Sequence, residues 1–314
     1  MIAGFLCIAS LALVAQDTTH QLLDQLAGAR RAAASLTDAT RARSRGYVRL
    51  RPTGRRPALN PVAGEHWLNH RHVQVTGLTL DRPAYLMYYP IDGAERLVGM
   101  GYAIIQGSGA PAPGGFEGDA DEWHVHYSCR DLPDFGSLLV AGEAECRELG
   151  GRPGDTQIAM VHVWLDPPNP DGPFAAVNVA LPFVAAGLRP PSRQDLADPV
   201  RSRRARTLAL ALGESFGALP RMGGMVELGR DSTAFRGRVA AHRESLRGLV
   251  AALRAAQQRG DLQAYDRNVD RALAEWEPIR QAYLDYAPYD VLRALLDRWF
   301  HAVVEPERHG PAGH

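Results

Sequence analysis

A change of hydrophobic period along the chain restricts its fold more than any other feature. From residue 18 to about residue 43 apolar side chains recur at helical spacing, with Leu22, Leu23, Leu26 and Ala29 on one stripe and a second start signal at Ser35-Leu-Thr-Asp38. One helix, or two with a break, covers this region. A turn-rich linker, Arg51-Pro-Thr-Gly-Arg-Arg-Pro57 through Asn60-Pro61, ends it. Between about residues 64 and 182 the period becomes that of short strands. Val73, Val75 and Leu78, then Tyr85-Leu-Met-Tyr-Tyr89, Leu97-Val-Gly-Met-Gly-Tyr-Ala-Ile-Ile105, Trp123-His-Val-His-Tyr127 and Met160-Val-His-Val-Trp-Leu165 are β-rich runs broken by Gly, Pro and Asp. After Pro190-Pro191 helical spacing returns over residues 194–219, 232–259, 261–286 and 288–304, with starts at Asp231-Ser232 and Asp261 and stops at Gly260 and Pro288. The order predicts an α+β fold: a mostly antiparallel β-rich domain over 61–190, flanked by an N-terminal helical segment and linker over 16–60 and followed by a C-terminal helical bundle over 191–304, with a tail at 305–314.

The formal net charge is zero, which removes the electrostatic footprint of a nucleic-acid binder. All basic charge is arginine, and the run Arg201-Ser-Arg203-Arg204-Ala-Arg206 reads as a solvated helix face. Ile2 to Ala15 is an apolar stretch followed by polar Gln16-Asp17-Thr18-Thr19, the pattern of a signal peptide over 1–15 and of a secreted or periplasmic protein. It falls short of the roughly 20 apolar residues of a bilayer span, so no transmembrane span is expected in the mature chain. Loss of that segment would remove Cys7 and leave Cys129 and Cys146, an even pair in an oxidising compartment. A disulfide between them is the favoured reading, with a thiolate ligand at Cys129 as the alternative; the bridge would contribute roughly 3 kcal/mol in the chain-entropy model.

Six of the eleven histidines lie between His66 and His162, within strand-like sequence. Residues two apart on a strand share a face, so His124 and His126 project side by side, and His162 shares its face with Met160 and Trp164. Three imidazoles converge if these strands share a sheet. His66, in a Gly-Glu-His-Trp turn, is the candidate fourth ligand. His70 and His72 share a face opposite Val73 and Val75, which read as core-directed, so this pair lines a groove or meets solvent. His242 and His301 read as surface or structural histidines, Met222 and Met225 as a weak Cu(I) pair, and His309 and His314 as part of the tail. Neutral imidazoles suit a divalent transition metal, either zinc or copper, and the pattern does not separate the two. No HExxH, CxxC or EF-hand loop is present. Glu65 and Glu122 are weak candidates for a general base or a carboxylate hydrogen-bonded to a ligand. Asp131, Asp166, Asp171 and Asn178 near the strand ends read as turn formers.

Gly64-Glu-His-Trp67, Leu97-Val-Gly-Met-Gly-Tyr102, Trp123-His-Val-His-Tyr-Ser-Cys-Arg-Asp131, His162-Val-Trp-Leu165 and Asn169-Pro-Asp-Gly-Pro-Phe-Ala175 occur in this order. Over rather more than a third of the chain the sequence resembles an uncharacterised family of secreted bacterial proteins with GxHW, WHxHxxC and HVWL…NPDGxFA segments. The resemblance implies that the region is one unit and brings no activity with it. An HxH followed by a distant His is also reminiscent of cupins and alpha-type carbonic anhydrases, but the cupin glutamate and glycine spacing and the carbonic anhydrase strand patterns are absent.

The expectation is an exported mononuclear metalloprotein with ligands His124, His126, His162 and His66. It would be a copper oxidoreductase or a zinc hydrolase or lyase acting on a small-molecule substrate. Two alternatives stand beside it. One is a non-catalytic copper- or zinc-binding or sensing protein; the other is a metal-free structural protein whose C-terminal helices dock a protein partner.

Overall fold

The computed structural model describes residues 5–50, 59–117, 121–132, 136–140, 142–217, 233–287 and 289–306. The linker at residues 51–57, the start signal Asp231-Ser232, Pro288, Met222, Met225, His309 and His314 lie outside them. The fold is a mixture of helices and an antiparallel sheet curled into a half-barrel, followed by C-terminal helices.

Helix α1 (Phe5–Ala34) stops before Asp38, whose side chain accepts a hydrogen bond from the Thr40 N–H and starts the short α2 (Ala39–Ser44). The sheet follows: β1 (Val48–Arg49), β2 (Leu59–Asn60), β3 (Gly64–Leu68), β4 (Tyr85–Ile91), β5 (Ala94–Gly107), β6 (His124–Leu132), β7 (Gly136–Val140) and β8 (Arg152–Trp164). Their spatial order is β1-β3-β4-β5-β8-β6-β7, with β2 also pairing β3. The long central pair β5 and β8 runs in continuous register from Gly99↔Trp164 to Gly107↔Thr156.

Period-2 alternation gives this sheet two different faces. On one, Trp67, Leu86, Tyr88, Met100, Tyr102, Val161 and Val163 pack with Leu26, Ala29, Ala33 and Leu36 from α1 and its C-terminal extension. The Tyr88 hydroxyl donates to the Leu36 carbonyl at 2.5 Å and fixes the helix end on the sheet. On the other face are the histidines, bounded on one side by Met87, Tyr89, Trp164 and Leu181 of α4 (Ala180–Ala185) and on the other by Leu68, Tyr85, Ala103 and Met160.

Cys129 on β6 and Cys146 on α3 (Glu143–Glu148) form a disulfide, buried with Leu132 and Val140. The C-terminal helices are α5 (Arg193–Ala197), α6 (Pro199–Ser215), α7 (Thr233–Arg259), α8 (Leu262–Asp285) and α9 (Asp290–Val304). Among the described residues no helix is long and apolar enough to cross a membrane.

Three local expectations are corrected. The helix expected over 194–219 is broken at Asp198, where ψ is 122° and the side chain caps Arg201 N–H; Pro199 then opens α6, because proline disfavours the helical conformation in the residue before it. Arg206 is not on a solvated face: it is buried and donates to Asp171 at 2.6 Å. His70 to His72 forms a 3-10 turn capped by Asn69 instead of a strand, and Val75 is exposed while Val73 packs inward.

Candidate metal centre

Register determines which side chains meet. On β8 the residues Met160, His162 and Trp164 face the same side, and their partners on β5 are Ala103, Gly101 and Gly99. Next across, Gly101 pairs Tyr85 and Gly99 pairs Met87 on β4, and Met87 pairs His66 on β3. On the other flank His124 pairs Met160 and His126 pairs Ile158. Cross-strand partners share a face, so His66, His124, His126 and His162 all stand on one side of the sheet.

In a flat sheet β3 and β8, separated by β4 and β5, would lie about 14 Å apart. The rings of His66 and His162 are nonetheless 5.8 Å apart between centroids. The histidine face is therefore the concave one. Two glycines make room for this curl. A Cβ on Gly101 would stand 3.3 Å from His162 Cδ2 and 3.4 Å from Tyr85 Cβ. One on Gly99 would stand 3.0 Å from the Trp164 ring and 3.1 Å from the Val163 carbonyl oxygen. Bare backbone under these side chains lets the His162 ring lie across β5 toward His66.

The other separations are 4.8 Å for His124 to His162 and 5.3 Å for His124 to His126. Four imidazoles from three strands thus form one cluster, with His162 buried and the other three partly exposed. Each is held neutral. Burial, with the neighbouring His126 adding to it against a Gly64 backbone hydrogen bond, pushes His66 down to about 4. Burial, and then the repulsion that a protonated His126 would exert, push His124 down to about 3 against a backbone hydrogen bond to Glu122. Burial lowers His126, and burial, with the repulsion that protonated His124 and His66 would add, holds His162 well below 6.5.

The His162 tautomer follows from a single contact. Its Nδ1 lies 2.9 Å from the Ala176 carbonyl oxygen, which only accepts, so a neutral ring carries its hydrogen on Nδ1. Its Nε2 then presents a lone pair, is buried and has no hydrogen-bond partner. His124 Nδ1 is likewise buried without a partner. Unpaired buried nitrogens are costly, and two of them on rings 4.8 Å apart are what an ion would satisfy. As the rings stand, no group of three His, Cys, Asp or Glu among the described residues is gathered to hold a metal ion. The separations nevertheless fit the chemistry: nitrogens about 2.0–2.1 Å from a tetrahedral ion put ring centroids about 5 Å apart.

The remaining candidates stand elsewhere. Glu65 faces the helix side, within 3.5 Å of Arg49, whose guanidinium stacks 4.9 Å from the Trp67 ring centroid; alternation along β3 turns its carboxylate away from His66. Glu122 is exposed ahead of β6. His70 is exposed, and His72 Nδ1 lies 3.1 Å from both the Tyr47 hydroxyl and the Pro83 carbonyl oxygen, outside the cluster. Cys129 is in the disulfide, which leaves no thiolate to act as a ligand.

Sequence reasoning missed Tyr85, whose ring is 6.2 Å from that of His66 and whose phenol burial keeps protonated. It also missed the two glycines, although Gly99-Met-Gly101 within a strand is a readable sign of close approach on one face. No protein-family model, curated protein or solved structure matches this chain.

Proposed function

We propose that this protein is an exported mononuclear metalloprotein in which His124, His126 and His162 hold a divalent copper or zinc ion, with His66 joining them. The observation that carries the reading is the pair of buried, unpartnered ring nitrogens, His162 Nε2 and His124 Nδ1, on neighbouring rings. Neutral imidazoles are the protonation state a metal requires, and burial enforces it at all four positions. The donor set, nitrogen only, suits zinc and copper over the hard, oxygen-seeking magnesium and calcium. His66, His124 and His126 are each partly exposed on the concave face, and an ion reachable from solvent suits catalysis on a small molecule better than a sealed structural role. Bound zinc would supply an acidic water and bound copper a one-electron couple. Export is supported by the disulfide and by the apolar stretch from Ile2 to Ala15.

The test is elemental analysis. Metal-free protein is incubated with zinc or copper, passed through a desalting column and compared with His126→Ala and His162→Ala. The expected result is stoichiometric metal in the natural sequence, its loss in both variants, and unchanged circular dichroism. Absence of stoichiometric zinc and copper in the natural sequence would sink the proposal and leave the cluster as a metal-free polar network.

A further inference from the structure

The segment after β8 folds back along it, and hydrogen bonds together with the Ala176–Val177 peptide link connect the helical bundle to the candidate ligand His162. Trp164 N–H donates to the Pro173 carbonyl at 2.9 Å, Trp164 Nε1–H to that of Ala175 at 2.6 Å, and His162 Nδ1–H to that of Ala176 at 2.9 Å. Two side chains brace this returning segment. Asn169 accepts from the Asp171 N–H at 3.1 Å through Oδ1 and donates from Nδ2 to the Val177 carbonyl at 2.8 Å, one residue beyond the carbonyl that His162 uses. Asp171 accepts at 2.6 Å from Arg206, a guanidinium buried on α6 and also bonded to Ser202.

We propose that Asn169 and Asp171 are positioning residues for the metal centre: together they hold residues 173–177 so that the Ala176 carbonyl fixes His162 with its hydrogen on Nδ1 and its lone pair on Nε2. The proposal rests on the metal reading for its purpose, but its geometry does not depend on it. A metal-binding imidazole needs its other nitrogen hydrogen-bonded to set the ring's tautomer and orientation, and loss of such support typically weakens metal binding about 10–100-fold. Here the support is a backbone carbonyl, so its placement depends on whatever holds the backbone. Arg206 extends that dependence to α6, which makes the bundle a part of the site's frame. Asn178, with Nδ2 on the Pro167 carbonyl at 3.1 Å and its N–H on the Val62 carbonyl at 2.7 Å, closes the far end of the segment.

Asn169→Asp separates the two jobs of Asn169. The variant keeps the oxygen that accepts from Asp171 N–H, so the turn survives, but replaces the donor to Val177 with a second oxygen. Long-range proton–nitrogen NMR of the metal-free protein at neutral pH reads the His162 tautomer directly, and competition with a chromophoric chelator reads zinc affinity. The natural sequence is expected to show one tautomer with hydrogen on Nδ1. Asn169→Asp is expected to show exchange between tautomers and roughly tenfold weaker zinc binding. Asp171→Asn, which loosens the Arg206 anchor at constant size, is the second variant should the first not fold, with the same tautomer exchange expected. A variant that melts at lower temperature yet keeps a single Nδ1–H tautomer and unaltered zinc affinity would overturn the proposal, because bracing would then be structural only. If the natural sequence binds no zinc, the metal reading falls, while the tautomer comparison still decides whether the brace positions His162.

Discussion

Gly101 shows how closely the site depends on single atoms. Its missing side chain is the space that His162 occupies, with a hypothetical Cβ 3.3 Å from the ring, 3.4 Å from Tyr85 Cβ and 3.6 Å from the Val161 carbonyl oxygen. Gly101→Val would add two further methyls where even the first carbon is tight. A destabilisation of about 1–3 kcal/mol is expected from this overpacking, read as a lower urea midpoint, together with weaker zinc binding. An unchanged midpoint would mean that the concave face has slack that these distances do not allow. The four histidines carry a second consequence at this scale, in the pH dependence of the metal-free protein. All four have folded-state values below the ordinary 6.5, with His66 at about 4 and His124 at about 3. As pH falls through about 6.5 the unfolded chain takes up protons that the folded chain refuses, so stability is full above that value and declines toward pH 3–4. Urea unfolding of metal-free protein at neutral and mildly acid pH should show this slope, and His124→Gln should make it shallower. A variant with the same acid slope as the natural sequence would show that His124 titrates freely in the fold.

Among the elements, β6 carries two of the four histidines, lies next to the short edge strand β7, and is tied to α3 by the Cys129–Cys146 disulfide. The bridged residues are 17 apart, and the chain-entropy model assigns such a loop about 3 kcal/mol. Replacing both cysteines by alanine should lower stability by roughly that amount in urea. An equal loss in the reduced natural protein would attribute it to the bridge, and no loss in either would show that the packing around Leu132 and Val140 suffices. This pairing was legible because the chain has three cysteines and Cys7 falls in the apolar N-terminal stretch, which leaves Cys129 and Cys146 as the pair. The strands containing Tyr85, Leu97, His124 and His162 were legible for a different reason: short runs rich in aromatic and β-branched residues, bounded by Gly, Pro and Asp, favour strands. The two-residue strands β1 and β2 left no such trace, since they are held by backbone pairing to β3. The turn at His70 to His72 was misread because its cap, the Asn69 side chain accepting from Arg71 N–H, competes locally with strand pairing. Glu65 was misjudged by one position of alternation, which sends its carboxylate to the helix face. Which histidines meet was only partly legible, because strand order and the curl over Gly99 and Gly101 bring β3 to β8, and neither is a local property.

For the whole molecule the question is whether the boundary near Pro190 divides two bodies that fold alone. Packing says that it does not. Val62, Val179, Phe183 and Leu188, all before that point, lie in the same core as Leu208, Leu212, Leu249, Leu253, Ile279 and Phe300 of the bundle. At the opposite end Arg298 of α9 reaches Glu148 of α3 at 3.0 Å, and Leu292 and Leu295 pack with Leu149. The bundle thus grips the sheet beside α4 and again beside the disulfide. Burying a valine, leucine or phenylalanine is worth about 1.5–3 kcal/mol. Four such side chains therefore rival the roughly 5–15 kcal/mol by which a domain is stable at all. Cutting at residue 190 would also strip Asp171 of Arg206 and loosen the segment that orients His162. A chain ending at residue 190 is therefore expected to lack a cooperative urea transition, to bind a hydrophobic dye such as ANS, and to take up no stoichiometric zinc, even though it retains all four histidines of the cluster. A sharp transition with no dye binding would show that the sheet stands alone and that the bundle is an appended module.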